Sequence, residues 1–201
     1  KRASWFSHKG ELAKPYYYKV YLADYDVVTE FTTTERAALF CFTFPESDRS
    51  YVVVDAFDRG SFVKIVGNNR IEGYTTRNSG GVPGNFKNYF VIEFDKPFDY
   101  KHTFADGKLS DDLEQLSQHV GGVIGFRTKK GEKVHARVAS SFISLEQAER
   151  NLKELGNDDF QTLVAKGKKE WNRVLSVIQV EGGTLDQYRV FYSCLYRSVL
   201  F

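Results

Sequence analysis

The feature that most constrains this chain is a train of short apolar runs, alternating in hydrophobicity and separated by tight polar turns, that fills residues 16–142. Tyr16, Tyr18, Val20 and Leu22 alternate with Tyr17, Lys19, Tyr21 and Ala23; Asp24-Tyr25-Asp26 then turns the chain into Val27, Thr29, Phe31 and Thr33, which predicts a hairpin. A third strand is predicted over 37–44, ended by Pro45, and a fourth, 51–57, is apolar at nearly every position, as a buried central strand would be. Strands 61–66 and 70–76 flank Gly67-Asn68-Asn69, a second hairpin signal. Strands 86–94, 98–104, 121–127 and 133–142 complete about ten in all, the last two predicted to pair across Lys129-Lys130-Gly131-Glu132. With no helical pattern between them, the expected fold is mostly β, a two-sheet antiparallel β-sandwich.

After residue 143 the periodicity becomes helical. Ser144-Leu-Glu-Gln147 reads as a capping box opening a short helix with Leu145, Ala148, Leu152 and Leu155 on one side, stopped by Gly156. Asp158 is predicted to cap the next helix, whose Phe160, Leu163, Val164, Trp171, Val174 and Leu175 share a face. A short extended segment, 177–181, and Gly182-Gly183 follow. Thr184-Leu-Asp-Gln187 then opens a third helix carrying Tyr188, Phe191, Tyr192, Leu195, Tyr196, Val199 and Leu200 up to Phe201, with no Gly or Asn stop signal. So broad an apolar face needs a partner, and the chain contains no Met, so it is expected to be a piece of a longer protein. The expected division is a β-sandwich over 1–143, a helical linker over 144–180 and the start of a truncated helical domain over 181–201.

Aromatic residues make up 15% of the chain and only 4 residues are Pro, a composition that packs; disorder is expected only around 106–118. The 28 Lys and Arg against 26 Asp and Glu leave a formal charge of +2, which is no footprint for nucleic acid. Lys166 to Lys169, interrupted by Gly167, reads as a solvated helix face. No apolar run is long enough to span a membrane, and no signal peptide is present. Cys41, within an apolar strand, and Cys194, on the last helix, read first as small buried hydrophobes, with a bridge between them left open.

No segment is a self-sufficient catalytic signature. The loop 78–85 has three glycines, but a phosphate cradle needs a helix directly after it and here a strand follows, so a flexible inter-strand loop is the better reading. His8, His102, His119 and His135 are scattered without metal-ligand spacing and read as surface or hydrogen-bonded histidines. Ser7, His8 and Glu11 are reactive types close in sequence, whereas triad members converge from distant segments. Asp24, Asp26, Asp95 and Asp106 fall in predicted turns. Trp5 or the run Tyr16, Tyr17 and Tyr18 could form a sugar platform, although core packing is the commoner fate. No catalytic, cofactor-binding or metal-ligating residue is assigned in this chain.

Several segments together resemble the calcium-dependent bacterial exo-α-mannosidases of glycoside hydrolase family ninety-two, best known for α-1,2-mannosidases. They are Phe6-Ser-His-Lys-Gly-Glu-Leu-Ala-Lys-Pro-Tyr-Tyr17, Thr32-Thr-Thr-Glu-Arg36 before Phe42-Thr-Phe-Pro45, and Glu72-Gly-Tyr74 ahead of Tyr89-Phe90 and Phe94-Asp-Lys-Pro-Phe98. The most distinctive are Trp171-Asn172, Val180-Glu-Gly-Gly-Thr184 and Phe191-Tyr-Ser-Cys-Leu-Tyr-Arg197. Tyr16 departs from the family's usual Gly after Pro, and the Gly80-Gly81 loop lacks a Trp often found there.

The resemblance implies an N-terminal β-sandwich, a helical linker and a C-terminal (α/α)6 barrel whose first helix is the one opened by Thr184. It implies an inverting enzyme in which a glutamic acid protonates the leaving oxygen, an aspartate activates water, and Ca2+ helps distort the mannose ring. Those groups, and the calcium ligands, belong to the missing C-terminal domain. The implied partners are that barrel and mannose-containing glycans, and the implied location is periplasmic, cell-surface or secreted in a bacterium. This chain alone is then expected to be structural, walling one side of the cleft, and inactive. The alternative is a free-standing carbohydrate-binding β-sandwich with a helical tail.

Overall fold

The computed structural model describes residues 3–200. Thirteen strands form two antiparallel sheets among the described residues. In chain order they are β1 (Leu12–Lys14), β2 (Tyr17–Leu22), β3 (Val27–Thr33), β4 (Ala37–Phe44), β5 (Ser47–Asp55), β6 (Ser61–Val66), β7 (Arg70–Thr75), β8 (Asn88–Phe94), β9 (Tyr100–Ala105), β10 (Lys108–Ser110), β11 (Glu114–Ser117), β12 (Val120–Thr128) and β13 (Glu132–Ser141). The large sheet has nine strands in the order β1-β2-β3-β4-β13-β8-β7-β6-β11, and the small sheet four, β10-β9-β12-β5.

Period-two alternation decides which residues face which layer. Val63, Ile71, Val134 and Phe94 of the large sheet meet Val120, Ile124 and Phe126 of the small one in a core from which water is excluded. Phe126 touches Phe44, Phe94 and Phe98, with ring centroids 5.7–6.4 Å apart. Gly73 of β7 sits where a Cβ would come within 2.1 Å of the Phe62 carbonyl oxygen, so the pairing of β6 and β7 at this point requires a residue without a side chain.

The opposite face of the large sheet carries a second core. Ala37, Leu39, Cys41, Val91 and Ala139 pack against α1 (Leu145–Leu152), the 3-10 turn Lys153–Leu155 and the first turn of α2 (Phe160–Leu175), through Ala148, Leu152, Leu155, Phe160 and Leu163. The molecule is therefore a stack of small sheet, large sheet and helices, with α3 (Leu185–Ser198) beyond them.

The predicted sandwich is present, with local corrections. β5 is not a buried central strand: it lies at the edge of the small sheet, with Tyr51 45% and Val53 52% exposed. A run of Val and Tyr has the same appearance at an edge as in a sheet centre, because side-chain chemistry does not report whether the backbone is paired on both sides. β12 and β13 do not pair with each other; β12 joins β5 and β9 while β13 joins β4 and β8, so the turn at 129–132 carries the chain from one sheet to the other. Residues 106–118 are ordered, holding β10 and β11, with Glu114 of β11 paired to Lys64 of β6 at 3.0 Å.

Asp159, not Asp158, caps α2, accepting a hydrogen bond from the Thr162 N–H at 2.7 Å. Asp158 binds Lys166 instead. Ser144 caps α1 by accepting from the Gln147 N–H, but the Gln147 side chain turns to Asn151, so half of the expected box forms; the box at Thr184 and Gln187 forms in full. Cys41 is buried and Cys194 exposed, both as free thiols, so Cys194 is no core residue. Its helix has no buried residue, and the expected end of that helix at Phe201 lies outside the described residues.

Candidate functional site

The helical layer is attached to the sandwich by specific contacts. Thr32, Thr34 and Arg36 lie at the end of β3 and in the turn to β4. The Thr32 hydroxyl donates to the Tyr16 carbonyl at 2.8 Å, and the Thr34 hydroxyl donates to the Glu154 carboxylate at 2.9 Å. The Arg36 backbone N–H reaches the same carboxylate at 3.1 Å, and its guanidinium adds a second contact. Burial works to raise the Glu154 carboxyl, yet the hydrogen bonds from Thr34 and Arg36 hold it below the ordinary range. The Thr-Thr-Thr-Glu-Arg segment is thus the socket that receives the linker.

Two further clamps act on the same layer. Arg70 of β7 gathers Glu72 at 2.9 Å, Glu93 at 3.2 Å and Glu149 of α1, and Arg137 of β13 donates to the Gly156 carbonyl at 2.7 Å. Gly167 lets α2 come down on the turn before β2, since a Cβ there would stand 3.0 Å from that of Tyr16. Tyr17 packs its ring on Phe160 and donates to Glu30; burial first, then Glu30, pushes its hydroxyl well up.

Away from the sheet the apolar surface becomes bare. Phe160 and Leu163 are the buried residues of α2, and α3 has none. Trp171 meets Tyr196 with ring centroids 5.0 Å apart, while Leu185 and Val190 are each 65% exposed. A cavity of about 640 Å³ opens between the sheet end at Pro15 and Thr34, α2 at Leu163 and Trp171, and Val199 just beyond α3. Leu163, Trp171, Val174 and Val199 line it together with Glu35, Glu154, Asp158, Glu170 and Lys166.

The residues weighed for chemistry are distributed without convergence. Each histidine ring contacts an acid: His8 with Glu11 at 2.7 Å, His102 with Asp111 at 2.9 Å, His119 with Asp55 at 2.8 Å and His135 with Asp95 at 2.7 Å. Glu11 also accepts from Tyr18 at 2.5 Å, and that bond, then His8, lowers its carboxyl. Ser7, His8 and Glu11 therefore tie the N-terminal segment to β2 rather than form a triad, and Lys9 donates its backbone N–H to the Ser7 hydroxyl. Of the suggested platform, Trp5 is exposed, whereas Tyr17 and Tyr18 are half-buried with their hydroxyls engaged. The loop 78–85 is braced by Asn78, which accepts from the Gly80 N–H at 2.8 Å, and leads into a strand.

Among the described residues there is no group of three or more His, Cys, Asp or Glu placed to hold a metal ion. Nor is any described helix long and apolar enough to cross a membrane. Glu154 and the Arg70 cluster carried no sequence signal, because their partners lie as many as 120 residues away in the chain.

Family models cover both the sandwich and the helices. The family model described as the glycosyl hydrolase family 92 N-terminal domain matches residues 1–141, and that of the family 92 catalytic domain matches residues 147–201. No curated protein sequence matches. Among solved structures, the chain resembles a family GH92 inverting mannosidase from Bacteroides thetaiotaomicron VPI-5482 with TM-score 0.95 and 40% identity, over 100% of this chain and 28% of that one. It resembles a family GH92 alpha-mannosidase from Bacteroides thetaiotaomicron with TM-score 0.90 and 30% identity, over 98% of this chain and 28% of the other. The family GH92 glycosyl hydrolase ccman5 shares the fold, with TM-score 0.84 and 23% identity over 96% of this chain and 29% of that one. The chain thus spans little more than a quarter of these relatives. The match over 141 residues of sandwich, continued through the linker helices into α3, shows that the chain belongs to glycosyl hydrolase family 92.

Proposed function

We propose that this chain is the sandwich and linker portion of an inverting, calcium-dependent exo-α-mannosidase that removes terminal mannose from glycans, and that it is not catalytic by itself. The observation that carries the reading is the 40% identity along the whole chain to a protein described as an inverting mannosidase. A second relative has been solved with mannoimidazole bound. In this reading the exposed face of α3 and the cavity beside Trp171 pack against a C-terminal helical barrel, and the socket around Glu154 fixes where that barrel sits. The acid and base lie in that barrel, set ~6.5–9.5 Å apart so that a water molecule fits between base and sugar.

Calcium does not fit the groups described in this chain, so its ligands would lie in the same missing domain and no step is assigned to it here. The parent protein would work on glycans in the periplasm, at the cell surface or outside the cell. The test is proton NMR of an α-mannoside digested by the full-length protein, with and without a chelator. The expected result is β-mannose as first product and loss of activity on chelation. Release of the α-anomer would refute inversion, and chelator-resistant activity would refute the calcium requirement.

A further inference from the structure

The outer face of the small sheet is built around two glycines of its inner strand. β12 sends Val120, Ile124 and Phe126 into the core, so Gly121, Val123, Gly125 and Arg127 alternate onto the opposite face. Gly125 is paired with Tyr51 of β5 on one side and with Tyr100 of β9 on the other. A Cβ on Gly125 would lie 2.7 Å from two atoms of the Tyr51 ring and 3.2 Å from the Tyr100 ring, so both rings fold in over β12 and bury this glycine. Tyr51 is nevertheless 45% exposed, so one face of its ring rests on the backbone and the other meets solvent. The arrangement recurs at Gly121, where a Cβ would lie 2.3 Å from the Phe104 ring. The two glycines are about 13 Å apart at ~3.3 Å per residue, with the exposed Val53 in the row between them.

Charge borders these rings, and both signs are present. Arg127 sits over Tyr100, its guanidinium carbon 5.6 Å from the ring centroid, and its backbone N–H donates to Asp99 at 2.7 Å. Asp55 bonds His119, His102 bonds Asp111, and Arg49 is exposed at the Tyr51 end of β5 beside Asp48. Such a balanced border does not select a charged ligand. A flat, uncharged ring face edged by hydrogen-bonding side chains matches the C–H face and the hydroxyls of a sugar ring. We infer that this face binds a neutral pyranose glycan, with Tyr51 as the stacking ring and Arg127, fixed against Tyr100, as a donor to the sugar hydroxyls. The inference rests on the mannosidase reading only for the choice of probe, yeast mannan.

Affinity electrophoresis of the 201-residue chain in gels containing mannan tests it. The parent chain and Tyr51→Phe should be retarded equally, whereas Tyr51→Ala should bind about tenfold more weakly with a melting midpoint within a few degrees of the parent. A parent chain that runs unretarded, or retardation that survives Tyr51→Ala, would overturn the inference. Should Tyr51→Ala fail to fold, proton NMR of the parent chain decides. Added α-1,2-mannobiose should shift the Tyr51 and Tyr100 ring signals, and shifts confined to other residues would overturn the platform. In the full-length protein Tyr51→Ala should hydrolyse an aryl α-mannoside at the parental rate; loss of that rate would make Tyr51 part of the catalytic cleft and also overturn it. The two readings fail separately. A chain that ignores mannan while the full-length protein hydrolyses mannoside refutes the platform alone, and a mannan-binding chain whose full-length protein hydrolyses nothing refutes the mannosidase alone.

Discussion

Replacing Leu155 by Ala separates the helices that belong to the sandwich from the one that does not. Leu155 is fully buried, held between Ala148, Leu152 and the strand residues Leu39 and Ala139 in the second core. Emptying such a site removes the transfer free energy of the lost carbons and leaves a cavity that rigid strands on one side cannot close. A cost of about 3 kcal/mol follows, within the usual ~2–5. At about 2–4 °C per kcal/mol for a chain of this size, the melting midpoint should fall by about 6–12 °C. Val190→Ala is the matched control: Val190 is 65% exposed on α3, and its replacement should change stability by less than about 0.5 kcal/mol. Thermal and urea unfolding of both variants, followed by circular dichroism, gives the comparison. A Leu155→Ala cost below about 1 kcal/mol, or a Val190→Ala cost equal to it, would refute the assignment of α1 and the start of α2 to the sandwich core.

Glu154→Gln should cost about 1–2 kcal/mol in urea unfolding at neutral pH, since it leaves the Thr34 and Arg36 donors with a weaker acceptor. The lowered carboxyl of Glu154 makes its contribution present above the ordinary carboxylate range and lost as pH falls through the depressed value, so the variant should show a flatter stability curve on acidification. His135 is raised to about 10, by the Asp95 hydrogen bond first and Cys41 second. Its stabilisation is complete below the unfolded value near 6.5 and lost as pH rises through about 10. Asp95→Asn should therefore remove a decline of order 1 kcal/mol between those limits, a figure kept small because the Asp95 side chain is 48% exposed. Gly73→Ala should cost more than about 3 kcal/mol or prevent folding, because its Cβ would meet backbone at 2.1 Å; solubility and melting of that variant check it.

The sandwich was legible because its strands alternate and its turns carry Gly, Asn and Asp where the backbone needs them, as at Gly67, which has φ +64°. The capping residues Ser144 and Thr184 were legible for a similarly local reason: each bonds a backbone N–H three residues on. What could not be read was anything decided by layers. Lys129 to Glu132 looks like a hairpin turn from either side, and only the packing of two cores shows that it joins different sheets. Cys194 has the spacing of a core position, yet it is exposed on a helix that has no buried residue. The socket shows both limits together. Thr34 and Arg36 stood out as a motif, but their role depends on Glu154, which arrives from the linker 118 residues after Arg36.

The central claim is that this chain shapes a mannosidase without carrying its chemistry. The most direct measurement compares the 201-residue chain with the full-length protein, at equal molar concentration, on an aryl α-mannoside. The account predicts release of the aryl group by the full-length protein and none above background by the chain. Hydrolysis by the chain alone, abolished by substituting one of its own carboxylates, would contradict it.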